Sequence, residues 1–332
     1  MKKHVFVIVR FSVIQPGTGA WNSSSSDLQE MAGKIFDYER LAFRFNTFEK
    51  FCMQSLMDQK ITNEDNIDFT FLILVSDALP EIFKNRLAIL KNSFNENIIH
   101  GAMETLAIKS TLINPSDDSF KNMNEAIKYT IIDYAKKHCS NTHCSFATVR
   151  LDDDDALSDN FITETGKYLS PDMKGMCISF AYGFEGYVDP VTLAVNDIRH
   201  CYFPKAAQGL AYINLIQNGD VVDKKTFHVL NTNNHTKVDE RYPVILDSRM
   251  PMYFRALSFT NDSNGSPHHK FLPKVMGKPT LNKVPCLTDK LADTLNHDVE
   301  DFFALEISKK ASHAAAMISN LNHKITIIRN SK

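Results

Sequence analysis

Three short strand-like runs, residues 5–9, 69–75 and 145–151, constrain the fold of this 332-residue chain more than any other feature. Each is about strand length, and residues 69–75 lack the alternation of a sheet with one wet face. Runs of that kind belong to strands buried on both faces of a parallel sheet, which need helices packed above and below. Helical spacing lies between them: Phe48, Phe51, Cys52, Ser55 and Leu56 share one stripe, as do Met123, Ala126, Ile127, Ile131 and Tyr134. The expected class is therefore α/β with a mostly parallel central sheet.

The third run carries the chemistry. It ends in Asp152, Asp153, Asp154 and Asp155, followed by Ala156 and Leu157. Four adjacent carboxylates repel one another, so their position at the end of an apolar strand predicts a divalent cation among them. Ligands of open α/β sheets bind beyond the carboxyl ends of the strands. Arg10 closes the first run and Asp77 follows the second, and these two residues are expected to share one crevice with Asp152–Asp155.

Composition narrows the partners. With 43% hydrophobic residues the chain can bury a core as one large domain or two joined lobes. Lys plus Arg (37) nearly balances Asp plus Glu (39), which gives no global field for a nucleic acid, and none is expected as a partner. The six cysteines are scattered, as free thiols in a reducing compartment would be. Residues 1–10 begin like a signal peptide, but Arg10 interrupts the apolar run early and no small-residue cleavage site follows. No run approaches the roughly 18 apolar residues of a spanning helix, so a cytoplasmic protein, soluble or peripheral at the inner membrane face, is expected.

Further along, residues 15–33 read as a loop, 81–91 as a helix and 104–108 as a weak strand. Short strands are expected near 176–182, 187–193 and 226–230. The apolar stripe of Val299, Phe302, Phe303, Ile307, Ala311 and Ala314 predicts a helical tail over 286–332. Its Lys309, Lys310 and Lys324 offer a contact to an anionic membrane surface.

Several chemistries can use clustered carboxylates. An EF-hand loop fails, because its glycine and glutamate places hold Leu157 and Thr163. A haloacid-dehalogenase phosphatase places Asp-x-Asp after its first strand with Thr or Val next, whereas Ala156 follows here. Prenyl synthases carry their aspartate pairs on helices. His138, Cys139, His143 and Cys144 have a superficial zinc pattern, but four ligands in one short loop cannot close a tetrahedron well, so an ordinary connection is expected. A cation that neutralises a departing diphosphate remains.

With Asp152–Asp155 followed by Ala156 and Leu157, the strand ending at Asp77, and the helix ending in Leu56-Met57-Asp58-Gln59, the chain resembles the inverting GT-A glycosyltransferases. More narrowly, Arg150-Leu151 before the aspartates, Arg10-Phe11-Ser12 and Asn261-Asp262-Ser263 resemble the rhamnosyltransferase family of bacterial surface-polysaccharide loci. The resemblance covers most of residues 4–265. It implies a GT-A fold with residues 1–170 as the nucleotide-sugar half, 171–285 as the acceptor half and 286–332 as the tail. It also implies a nucleotide-diphosphate sugar donor, with rhamnose as one possibility for the sugar, and a glycan or glycolipid acceptor.

Carried over by residue, Asp77 would contact the nucleoside. Asp152 and Asp154 would be the ends of the Asp-x-Asp motif that holds Mn²⁺ or Mg²⁺, with Asp155 beside them. Arg10, Phe11, Arg150 and Asp153 complete the implied donor set, where Arg10 and Arg150 either contact phosphate or pair with the aspartates. His235, His268 and His269 are candidates for a further metal ligand. Asp189, Asp197, Asp239 and Glu240 are candidates for the general base that deprotonates the acceptor hydroxyl. Two rival readings are a non-catalytic carbohydrate- or nucleotide-binding protein on the same fold and a metal-dependent phosphohydrolase.

Overall fold

A computed structural model of the chain describes residues 1–14, 28–61, 66–97, 106–111 and 123–261. Its centre is a sheet in which the three apolar runs lie side by side as β1 (Lys2–Phe11), β2 (Ile67–Ser76) and β4 (His143–Asp152). β1 is in the middle, parallel to β2 on one side and to β4 on the other. β3 (Leu106–Thr111) extends the sheet beyond β2, also parallel. The chain thus steps outward from β1 to β3 and then returns to the far flank of β1, which makes the β1/β4 boundary a topological switch point.

Beyond β4 the sheet is mixed. β9 (Ala211–Gln217) lies antiparallel between β4 and β6 (Cys177–Phe180), and β11 (Val244–Asp247) pairs parallel to β6. The full order is β11-β6-β9-β4-β1-β2-β3, with β10 (Asp220–Val221) added to β9. A second sheet has the order β5-β12-β7-β8, formed by Ala156–Leu157, Tyr253–Leu257, Tyr182–Val188 and Val195–Tyr202. β5 begins directly after the aspartates, so they sit at the joint between the two sheets.

The two-residue period of a strand divides each apolar run between two cores. Val5, Val7, Val9 and Phe11 face one core together with Phe71, Ile73 and Val75. That core is covered by α2 (Tyr38–Thr47), a π-helical turn (Phe48–Met53) and α3 (Gln54–Met57), with Phe83 and Leu87 of α4 (Glu81–Asn97). Phe6, Ile8, Leu72, Leu74 and Phe146 face the other way, beneath α5 (Met123–His138) and residues such as Val229 and Val238.

Several expectations are corrected. Residues 28–33, read as loop, belong to α1 (Leu28–Ile35), where Met31 and Ile35 join Ile14 in a small core. The helix expected near Phe48 starts ten residues earlier, because Asp37 accepts from the Arg40 amide and caps it. The 176–182 stretch is two strands in different sheets. They part at Ala181, whose amide donates to the Asp247 carbonyl. β7 stops at Val188, and residues 189–193 form a turn closed by Asp189. Residues 226–230 are no strand but lead into a 3₁₀ turn (Val229–Thr232), held to β4 by the Val229 amide donating to Thr148 Oγ1 at 2.8 Å. The expected weak strand is β3, shifted to Leu106–Thr111.

Five cysteines are buried free thiols. Cys139 and Cys144 flank the connection from α5 to β4, and no group of three or more metal-ligating side chains is found among the described residues. None of the helices described is long and apolar enough to cross a membrane. His268, His269, Asp262, Ser263 and the expected tail lie outside the described residues.

Candidate active site

Strand parity also sorts the aspartates. Arg10, Arg150 and Asp152 are even-numbered, like Phe6, Ile8 and Phe146, and they point to the α5 side of the sheet at the carboxyl ends of β1 and β4. Arg10 and Asp152 are register partners, and Arg10 Nη2 donates to Asp152 Oδ1 at 2.9 Å. Arg150 Nη2 reaches the same carboxylate at 3.4 and 3.5 Å. Asp152 remains the most open of the four, with 30% of its side chain exposed. Burial works against its anion, but the Arg150 and Arg10 charges outweigh burial and hold the carboxyl well below the usual range.

Asp153 turns to the opposite side. It is buried against Arg44 of α2, whose Nη2 and Nε both donate to its carboxylate, while Nη1 donates to the Thr260 carbonyl. Arg44 also reaches Asp154 at 3.5 Å. Burial opposes the charged guanidinium, yet Asp153 and Asp154 outweigh it and raise the Arg44 pKa. Asp154 is buried, and burial, opposed by Arg44 and reinforced by Asp153 and Asp152, pushes its pKa up to about 6. Asp155 accepts from the Ala256 amide at 2.9 Å and from Gln208 Nε2 at 2.7 Å. Burial and the neighbouring Asp154 and Asp152 raise its pKa well above the ordinary value.

The run is therefore compensated by the protein itself. The repulsion that predicts a cation is offset by Arg10 and Arg150 at Asp152 and by Arg44 at Asp153 and Asp154, with Arg255 adding a favourable charge near Asp155. Asp153 and Asp155 hold the joint between the sheets together. Asp152 is the carboxylate that faces outward.

The other expected residues separate as clearly. Phe11 is wholly buried and packs on Phe45 and Phe48, so it shapes the end of β1 from below and does not face the crevice. Asp77 follows the last residue of β2 and is half-buried at the turn that the Leu79 amide closes onto Ser76. His235 stands close enough to Arg150, Asp152 and Arg10 for their charges to act on it. Its Nδ1–H donates to the Lys205 carbonyl at 2.7 Å, which fixes the tautomer and leaves the lone pair on Nε2. Burial lowers its pKa, which favours the neutral ring.

Among the base candidates, Asp189 accepts from the Val191 and Thr192 amides and serves its own turn. Asp197 has a left-handed backbone (φ 51°) and pairs with Arg199 on β8, the edge strand farthest from β5, about 14 Å across the sheet. Asp239 and Glu240 are exposed at the end of the 3₁₀ helix that begins with His235 (His235–Glu240). Asp239 pairs with Lys205 Nζ at 2.7 Å, and the carbonyl of that lysine holds His235.

Arg44 and Gln208 were missed by sequence reasoning. Arg44 left a signal in the charge between Phe43 and Phe45 on an apolar helix, where a buried cation needs an anion. Gln208 left none.

An α/β protein with a cluster of charged side chains at the switch point of a mostly parallel sheet is compatible with a GT-A-like architecture. A family model described as "Putative rhamnosyl transferase" matches residues 4–270. The chain belongs to that family. No curated protein matches it.

Proposed function

We propose that the protein is a metal-dependent, inverting glycosyltransferase of GT-A fold, moving a sugar from a nucleoside-diphosphate donor to a hydroxyl of a glycan or glycolipid. Rhamnose is the sugar that the family name suggests. Residues 1–170 would bind the donor and residues 171–285 the acceptor, in surface-polysaccharide synthesis on the cytoplasmic side. The observation that carries the reading is the family match, taken together with outward-facing Asp152 at the switch point and His235 beside it.

The donor set suits Mn²⁺ or Mg²⁺, which prefer carboxylate oxygen and accept imidazole. Asp152 and Asp154 would hold the ion, with Nε2 of His235 a further ligand only once the donor is bound, since the three do not form a group in the structure itself. The backbone carbonyl on Nδ1 is the usual outer partner of a metal-bound histidine. No three of the described side chains come together as a metal site, so the ion would be bound through one or two carboxylates and completed by substrate phosphates. When bound, the ion would neutralise the charge growing on the diphosphate leaving group.

The chain's own residues do the rest. Asp77 would accept from the nucleoside, and Arg44 and Gln208 would keep Asp153 and Asp155 from shifting the site. Asp239 is the base we favour, because Lys205 ties it to the segment that carries His235. It would take the acceptor proton as the hydroxyl attacks the anomeric carbon in line.

Calorimetry with nucleoside diphosphates, with Mn²⁺ and with EDTA, tests the donor side. A panel of nucleotide sugars with NMR of the product tests transfer and anomeric outcome. Nucleotide affinity unaffected by EDTA would overturn the metal requirement, and retention of configuration would overturn direct displacement.

A further inference from the structure

His228 is wholly buried, yet among the described residues neither of its ring nitrogens has a hydrogen-bond partner. A neutral imidazole carries one N–H to donate and one lone pair to fill. Buried polar groups are nearly always paired, so the ring bears the full desolvation cost of a donor and an acceptor. The backbone on either side of it is also outside its ordinary range. Phe227 has a left-handed φ of 62°, and Asn233 combines φ 68° with ψ −136°, close to a region that glycine alone enters freely. Three unfavourable features thus fall within residues 227–233.

The contacts that hold this segment down are few. The Val229 amide donates to Thr148 Oγ1 on β4 at 2.8 Å, Asn214 Nδ2 on β9 donates to the Phe227 carbonyl at 3.3 Å, and the Phe227 and Val229 side chains enter the core beneath α5. Past Asn233, the Asn234 side chain accepts from the Thr236 amide and starts the 3₁₀ helix that carries His235 and Asp239. The segment is therefore the arm between β4 and that helix. The charged and titratable groups on the elements around the ring are Lys128 on α5, Arg150 on β4, and Tyr212 on β9 with its partner Asp223. The Lys128 ammonium lies 5.6 Å from the centre of the Phe227 ring. Asp223 is engaged by the Tyr212 hydroxyl and by the Lys225 and Thr226 amides. Burial, and then the Lys128 charge, push the His228 pKa down to about 3.

We propose that residues 227–233 are a latch released by protons: protonation of His228 opens the segment and draws His235 and Asp239 away from the carboxyl end of β4. The latch goes beyond the transferase reading and does not depend on it. Its sign follows from linkage. The closed form keeps the ring neutral, whereas an opened ring in water titrates near 6.5. The open form binds more protons, so the closed form loses stability as pH falls below about 6.5 and continues to lose it toward 3.

Native-state hydrogen exchange of the full chain, read by NMR at pH 7.5 and 5.5 and corrected for intrinsic rates, tests this. The reporters are the Val229 amide and the Asn231 amide, which donates to the His228 carbonyl at 3.0 Å. Val7 in β1 reports global unfolding. Both reporters should exchange through openings more frequent than those of Val7. On acidification the open population of the parent should rise about tenfold more than that of His228→Leu, because only the parent takes up the extra proton. That comparison isolates His228 from every other titrating group, His235 included. Melting curves confirm that the variant is folded, and His228→Gln replaces it if leucine is not tolerated. Reporters that exchange no faster than Val7, or a pH response of the parent within twofold of the variant, overturn the latch. Absence of nucleotide binding and sugar transfer would overturn the transferase reading and leave the latch standing.

Discussion

Arg44→Met tests whether the protein itself stabilises the aspartate run. The parent places the guanidinium, 13% exposed, against Asp153, 2% exposed, and within 3.5 Å of Asp154. Methionine keeps the helix propensity and most of the volume but removes the charge and the bonds to Asp153 and the Thr260 carbonyl. Removing one partner of a buried pair leaves an uncompensated charge, which costs about 3–5 kcal/mol. At about 2 °C per kcal/mol for a domain of this size, melting should fall by roughly 6–10 °C. The loss should also depend on pH. Arg44 opposes the upward shift of Asp154, so its removal raises the folded-state pKa further above the unfolded value. A carboxyl raised on folding loses stability as pH rises between its unfolded and folded values. Arg44→Met should thus be less damaging at pH 5 than at pH 8. Urea titrations at both pH values, with Asp153→Asn and the double variant to measure coupling, check this. A loss below about 1 kcal/mol, or additive single effects, would refute the compensation argument.

Other expected outcomes follow from the same geometry. Mn²⁺ affinity should rise as pH increases through about 6, since Asp154 must lose its proton there to bind a cation; pH-dependent calorimetry measures it. His235→Ala should weaken Mn²⁺-supported nucleotide binding at temperatures well below its own lowered melting point, and equal affinity there would remove His235 from the site. Gly209→Ala should destabilise by about 3 kcal/mol or more, because the residue has φ 74° and a Cβ there would lie 2.6 Å from the Phe161 ring. Its amide also donates to the Arg150 carbonyl, and a melting curve measures the loss. Asp239→Asn should slow transfer about 100-fold with normal donor binding, whereas a parental rate would reassign the base.

Much of the fold follows from patterns that a chain carries in one dimension. Apolar runs of strand length and helical stripes fixed β1, β2, β4 and α5, because burial on both faces leaves no other arrangement for such runs. The aspartates at the end of the third run marked the charged cluster at the carboxyl ends of β1 and β4. What periodicity could not supply was the partner of each carboxylate. Asp152 and Asp153 are adjacent in sequence, yet alternation across the sheet sends one to Arg10 and Arg150 and the other to Arg44, 109 residues away. Local repulsion suggested an ion, and tertiary packing supplied arginines from strand and helix.

The second half shows the limit from another side. β9 entered the parallel sheet antiparallel, and β6 and β7 parted into different sheets at Ala181. Short strands carry too little periodicity to fix their neighbours, so only long-range pairing decided them. His235 was one histidine among several in the sequence. Its nearness to Asp152, and the Lys205 carbonyl that sets its tautomer, exist only once the 3₁₀ segment from His235 to Glu240 has packed beside β4.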